Sequence, residues 1–139
     1  MLDKARVLTK IDELRKYLDE LTQILPENFT RYQQIEKKRG CERLLQLAIE
    51  CNIDICKIIV SGLRLGLPYE ENDLFVKLRK NKIVDENMFN KLKQMRALRN
   101  ILVHEYAEVD DQLVFKHLLI HKADFEQFIT VILGFLRKH

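Results

Sequence analysis

Residues 44–58 read LLQLAIECNIDICKI, and this stretch decides the fold. Its apolar side chains recur at the three- and four-residue spacings of an α-helix. One stripe comprises Leu44, Leu47, Cys51, Ile55 and Ile58, and Leu45, Ala48 and Ile49 widen it. A stripe this broad predicts a central helix that is buried around most of its circumference.

The segments before this stretch extend the helical pattern. We expect the central helix to run from Thr30 to Leu65, with a break at Gly40. A first helix is predicted from Asp3 to Leu25, where Pro26 ends it. The apolar positions that form its seam are Val7, Ile11, Leu14, Leu18, Leu21 and Leu25.

The segments after the central helix are also helical. The pattern predicts a short helix near Asp73–Arg79 and a longer one that begins at Asp85, a plausible N-cap, and runs to about Tyr106. A turn around residues 109–111 then leads to one or two last helices, and Asp124 is a candidate cap for the final one.

Composition sets the class of protein. The chain has 139 residues, of which 47% are hydrophobic and 32% charged, so we expect one globular domain spanning residues 1–139. With the helical pattern, this favours an all-α fold, an antiparallel bundle of four to five helices. No apolar run approaches the roughly 18 residues of a membrane span. The chain begins with a charged amphipathic pattern, so we expect no signal peptide and a cytoplasmic location.

Cysteine and histidine residues offer little support for a metal site. Cys41, Cys51 and Cys56 match no zinc-binding spacing, and their odd number favours reduced thiols in the core of a cytosolic protein. His117 and His121 are four residues apart and could share a helical face, but no carboxylate or thiol stands at an obvious ligand spacing beside them. We therefore expect no metal and no cofactor.

Local basic groups are more informative than the modest net charge of +3. Each group is either an ordinary solvated face or part of a surface for an anionic partner. Their members are Lys37, Lys38, Arg39 and Arg43, then Lys77, Arg79, Lys80 and Lys82, then Lys91, Lys93, Arg96 and Arg99.

The stretch that carries chemistry is residues 99–106, RNILVHEY. On a helix, Arg99 falls near the middle of the apolar stripe, and Tyr106 lies almost above it. An arginine is rarely buried without a partner, so Arg99 must reach a paired acceptor, an interface or a cleft. The stripe consists of Met88, Leu92, Met95 and Leu102.

A polar edge runs beside this stripe. Arg96, Asn100 and His104 follow one another at four-residue spacing. On a regular helix, Arg99 and His104 point about 140° apart, so one copy does not aim both side chains at the same point. A long arginine side chain, a frayed helix end or a second subunit must close that gap.

At these residues the sequence resembles the HEPN superfamily, whose mark is Arg-x4-6-His. More narrowly, it resembles the HepT-like toxins, whose form is Arg-x4-His-x-Tyr. Ala97-Leu98 is a small departure, because such proteins often have Gly-Phe there. The similarity also includes residues 42–50, Leu65-Gly66-Leu67-Pro68, Asp73-Leu74-Phe75 and residues 95–100.

The resemblance implies a HEPN-like helical fold and a homodimer with its active site where two motif helices meet at the two-fold axis. It implies a type VII toxin that cleaves RNA, such as tRNA or mRNA, without a metal. In that reaction the ribose 2′-OH attacks the neighbouring phosphate and leaves a 2′,3′-cyclic phosphate. It also implies an MntA-like minimal nucleotidyltransferase antitoxin that can attach AMP to Tyr106.

The chemistry of these side chains fits the roles that the resemblance implies. Arg99 and His104 are the candidate catalytic residues, because arginine holds a phosphate and histidine transfers protons near neutral pH. Asn100 and Arg96 are candidate supporting residues. Two other hypotheses remain: a non-catalytic HEPN-like module that binds nucleotide or a nucleotidyltransferase partner, and a purely structural bundle. The intact set of motif residues favours the nuclease.

Overall fold

A computed structural model describes residues 1–104 and 109–139. Within these ranges every regular element is an α-helix. The helices are α1 (Lys4–Ile24), α2 (Phe29–Tyr32), α3 (Ile35–Gly62), α4 (Glu71–Lys80), α5 (Glu86–Val103) and α6 (Asp111–Lys138). Because α2 is a single turn of four residues, five longer helices build the bundle. The predicted all-α class is confirmed.

The centre of the bundle is α3, which packs against each of the other five helices. Its side chains Leu45, Ile49, Ile55 and Ile59 are almost completely buried. The width of the apolar stripe predicted a helix buried around most of its circumference, and this prediction is confirmed. A helix with neighbours on most sides must be apolar on most sides.

Side-chain caps fix the N-terminal ends of α4 and of α5, the helix that carries the Arg-x4-His motif. The carboxylate of Asp85 accepts a hydrogen bond from the backbone N–H of Met88 at 2.8 Å, which confirms the predicted N-cap of α5. At the start of α4, Asp73 accepts a hydrogen bond from the backbone N–H of Glu70 at 3.2 Å. The first turns of α4 and α5 are therefore well defined.

The predicted break at Gly40 is wrong. The helix α3 continues through this residue, and the interruption lies earlier, at Gln33 and Gln34. A Cβ atom at position 40 would stand 2.9 Å from Cδ1 of Ile24. Glycine is present here because α1 approaches closely, and not because the helix ends.

Two predicted boundaries near the C-terminal part also need correction. α5 ends at Val103, and His104 is its C-cap with extended backbone angles. Leu102 is the last side chain of this helix that packs against the core. Asp124 caps nothing, since it lies inside the single helix α6 and its Oδ1 is 3.0 Å from Lys91 Nζ.

Tyr106 lies outside the described residues. Among residues 1–104 and 109–139, no helix is long and apolar enough to cross a membrane.

Candidate active site

The position of α5 determines where the motif side chains point. Its buried face consists of Met88, Phe89, Leu92, Met95 and Leu98. Seating this face on the core places Arg96 and Arg99 beside the first turn of α4.

Arg99 finds its acceptor in Glu71, the first residue of α4. Its Nη2 donates to Glu71 Oε1, and Arg96 Nε donates to the same oxygen at 3.0 Å. Arg99 Nε also donates to Asn100 Oδ1 at 3.0 Å. The side chain of Arg99 is only 13% exposed. The structure thus brings together three of the predicted site residues, Arg96, Arg99 and Asn100.

Glu71 itself was not predicted from the sequence. Burial is the largest single influence on its carboxyl group and raises the pKa, but the hydrogen bonds and charges of Arg96 and Arg99 together lower the pKa below its usual value. Glu71 is therefore a carboxylate at neutral pH. Two guanidinium charges and one carboxylate charge leave this cluster with a net charge of +1.

His104 lies in different surroundings, at the exposed end of α5. Its backbone N–H donates to the carbonyl oxygen of Asn100 at 3.3 Å. It borders a cleft of about 450 Å³. The other residues that line this cleft are Lys38, Arg39, Glu42, Leu102, Val109 and Asp111.

Ion pairs occupy the walls of this cleft. Lys38 Nζ lies 3.2 Å from Asp111 Oδ2, and Arg39 Nη1 lies 2.8 Å from Glu42 Oε1. The first basic group of the sequence therefore contributes two of its cations to the surroundings of His104. Arg99 is bound to Glu71 on α4 instead, and it is not among the described residues that line this cleft.

The remaining histidine pair sits on α6. The rings of His117 and His121 stack with centroids 4.9 Å apart, and His121 Nδ1 lies 3.4 Å from Asp124 Oδ2. Burial, together with the neighbouring His117, lowers the pKa of His121. In the part of the chain that the structure describes, no group of three or more His, Cys, Asp or Glu side chains is arranged to hold a metal ion.

The three cysteines are free and buried. Burial raises the pKa of Cys41 and of Cys51 to about 11, and it raises the pKa of Cys56 as well. A thiol with a raised pKa is a poor nucleophile at neutral pH, so these side chains belong to the core.

A helical bundle that presents Arg-x4-His at the end of a core helix is typical of the HEPN class. The family model described as "Ribonuclease HepT-like" matches residues 8–132, and the chain belongs to this family.

Two curated relatives span nearly the whole chain. The mRNA nuclease HepT of Shewanella oneidensis is 31% identical over 126 residues, which cover 91% of this chain and 95% of that protein. The tRNA nuclease HepT of Aphanizomenon flos-aquae is 30% identical over 136 residues, which cover 97% of this chain and 92% of that protein.

A solved structure supports the same relationship. The tri-AMPylated HEPN toxin of Shewanella oneidensis, in complex with MNT antitoxin, superposes with a TM-score of 0.86 at 30% identity. The match covers 92% of this chain and 96% of that toxin. The fold is therefore that of the HEPN toxins.

Proposed function

We propose that this protein is the endoribonuclease toxin of a toxin–antitoxin pair and cleaves RNA at a composite site on a homodimer. The observation that carries the composite site is that Arg99 is bound to Glu71 on α4, whereas His104 borders a cleft that α3 lines with Lys38 and Arg39. The two relatives named as mRNA and tRNA nucleases support RNA as the substrate class.

The proposed reaction needs a base, an acid and positive charge at the phosphate. The 2′-oxygen attacks the phosphorus while its proton passes to a base, and the bond from phosphorus to the 5′-oxygen breaks as an acid protonates that oxygen. A 2′,3′-cyclic phosphate and a 5′-hydroxyl remain. Two copies of His104, one from each protomer, supply the base and the acid. Arg99 stabilises the charge that grows on the phosphate oxygens.

Exposed apolar side chains near the motif support the dimer. Ile101 and Val103 on α5 are 38% and 42% exposed. Leu113, Leu119 and Ile120 on α6 are exposed as well. These are five of the ten large apolar side chains that are exposed among the described residues. A two-fold interface on this part of the surface would bring two motifs together.

A mixing experiment tests the composite site. His104→Ala protein should be nearly inactive when it is purified alone. Co-expression with wild-type protein yields mixed dimers that hold one His104 where the proposed reaction needs two. We expect isolated mixed dimers to cleave RNA at far less than half the wild-type rate. A rate of about half the wild-type rate would mean that each protomer works alone and would contradict a site shared between protomers.

The antitoxin is proposed to be a minimal nucleotidyltransferase of the MntA type that attaches AMP to Tyr106. The support is the AMPylated toxin–antitoxin structure of the relative and the position of Tyr106 two residues after His104. A charged nucleotide beside the site would repel RNA.

Mass spectrometry tests this part of the proposal. Incubation with the partner nucleotidyltransferase and ATP should add AMP mass to the peptide that contains Tyr106. The peptide that contains Tyr69, which is fully exposed, serves as the matched control. If the toxin is neutralised while its Tyr106 peptide stays unmodified, the proposed attachment of AMP to Tyr106 is wrong.

A further inference from the structure

We propose that Glu71 is a positioning residue for Arg99, which it holds in the orientation that presents the guanidinium to the scissile phosphate. This inference rests on the proposed function and adds to it a residue outside the motif. It starts from a contact that joins the first turn of α4 to the last turns of α5.

The pattern of contacts leaves one edge of the guanidinium available. A guanidinium presents a side edge, formed by Nε and Nη2, and an end edge, formed by Nη1 and Nη2. Asn100 and Glu71 accept hydrogen bonds from Nε and Nη2 of Arg99, so the side edge is occupied. Among the described residues, no acceptor is bound to Nη1 of Arg99. The end edge therefore remains for a phosphate, which a guanidinium binds with two parallel hydrogen bonds.

The positive charge of Arg96 beside Arg99 makes the carboxylate of Glu71 necessary. Arg96 and Arg99 are three residues apart on one helix, which places two positive side chains on neighbouring positions. The shared carboxylate oxygen of Glu71 holds them together. Without that carboxylate, the two guanidiniums would repel each other and Arg99 would leave its position.

α4 fixes the place of Glu71. Leu74 and Phe75 are buried in the core, and Asp73 accepts hydrogen bonds from the backbone N–H groups of Tyr69 and Glu70 at 2.8 and 3.2 Å. A carboxylate on an anchored first turn is a more precise support for Arg99 than a side chain on a loop.

The test compares single-turnover cleavage of RNA by the wild type, Glu71→Ala and Glu71→Gln, each as the full-length protein. We expect Glu71→Ala to reduce the maximal cleavage rate by about 10- to 100-fold, since a misplacement of about 1 Å costs up to this much. The RNA concentration at half-maximal rate should change much less. The cleavage rate of Glu71→Gln should lie between those of the wild type and Glu71→Ala, because its amide oxygen still accepts one hydrogen bond.

Glu86→Gln is the matched control. Glu86 also joins α4 to α5, through an ion pair with Arg79 at 3.2 Å, but it does not contact Arg99. This variant should cleave at the wild-type rate. A loss equal to that of Glu71→Gln would mean that the α4–α5 junction matters only for packing and would overturn the proposal.

A double variant separates positioning from a structural role. In an Arg99→Ala background, Glu71→Gln should cause no further loss, because the residue that it positions is already gone. A full additional loss would overturn the proposal. If Arg99→Ala is inactive and both Glu71 variants are fully active, the positioning role alone is wrong. If folded Arg99→Ala protein keeps the wild-type rate, the proposed function falls with it.

Discussion

The helices α4 and α6 both pack against α5, but through different polar contacts. Towards α4, the polar contacts join arginines to glutamates: Arg96 and Arg99 to Glu71, and Arg79 to Glu86. Towards α6, Lys91 pairs with Asp124, beside the buried ring of His121, and donates to Gln127 Oε1 at 2.6 Å. His104 stands past the end of α5, on the way to α6.

This difference separates two kinds of charge. The α4 side carries guanidiniums, which stay positive at every physiological pH, and the carboxylate of Glu71, whose pKa is lowered below its usual value. The other side, at the end of α5 and on α6, carries imidazoles, which can accept or donate a proton. The proposed reaction needs both a fixed positive charge and a transferable proton, so it draws on both sides of α5. The proposed second protomer would bring a further copy of each group to the site.

The largest expected effect concerns the proton-transfer side. His104→Ala should reduce RNA cleavage by about 100- to 10,000-fold, which is the usual contribution of general acid–base catalysis. His104 is exposed and caps α5 through its backbone, so the fold should survive. Single-turnover cleavage, with analysis of the ends for 2′,3′-cyclic phosphate, measures the effect.

His117→Ala is the suitable control for this measurement, because His117 is only half-buried. His121 would be a poor control, since it is buried against Phe125 and its loss would disturb the core. A folded, dimeric His104→Ala protein with the wild-type rate would remove histidine from the mechanism. It would favour the non-catalytic module instead.

A smaller effect is expected from breaking the proposed dimer. Ile101→Asp places a carboxylate on the exposed end of α5, where two protomers are proposed to meet. Burying it should weaken the dimer by about tenfold or more, since an unpaired buried charge costs well over the roughly 1.4 kcal/mol of a tenfold change. Analytical ultracentrifugation measures the dissociation constant.

Leu8→Asp is the matched control, because Leu8 is 45% exposed and lies on α1, which does not pack against α5 in the described part of the chain. It should leave the dissociation constant unchanged. A dimer that tolerates Ile101→Asp while Leu8→Asp disrupts it would place the interface elsewhere.

The histidine side should also make stability depend on pH. Burial lowers the folded-state pKa of His121 below its ordinary value of 6.5. The unfolded chain therefore binds a proton more readily, and the free energy of unfolding decreases as the pH falls below 6.5 towards the folded-state pKa. Denaturant titrations between pH 7.5 and 5.5, both chosen to bracket about one pH unit on either side of this value, measure the decrease.

His121→Leu should remove part of this dependence, since leucine cannot bind a proton. His117 stays in place as the neighbouring titratable ring. An unchanged pH dependence in the variant would show that His121 does not titrate in this range.

Sequence patterns predicted what depends on spacing along one helix. The burial of α3, the N-cap at Asp85 and the need of Arg99 for a partner all follow from such spacing. Glu71 left no comparable signal. It stands 28 residues before Arg99, and only the packing of α4 on α5 brings the two together.

The errors have the same origin. Gly40, considered alone, suggests a break in the helix. Its lack of a side chain instead leaves room for Ile24, which approaches from α1. Asp124 has the side chain of a good cap, yet it pairs with Lys91 across the bundle. Each depends on a tertiary neighbour that the local pattern does not contain.

The last prediction expects no effect at all, and it tests the role assigned to the α4 side. Removing divalent ions with EDTA should leave the cleavage rate unchanged, because Arg99 supplies the positive charge at the phosphate that a metal ion supplies in many nucleases. The cluster of Arg96, Arg99 and Glu71 keeps its net charge of +1 without any bound ion. The measurement is single-turnover cleavage by dialysed protein with and without EDTA. Raising monovalent salt in parallel shows how far RNA binding itself depends on ionic conditions. Activity that is lost on chelation and restored by one divalent ion would assign the phosphate charge to a metal, and the contrast between the two sides of α5 would then no longer explain catalysis.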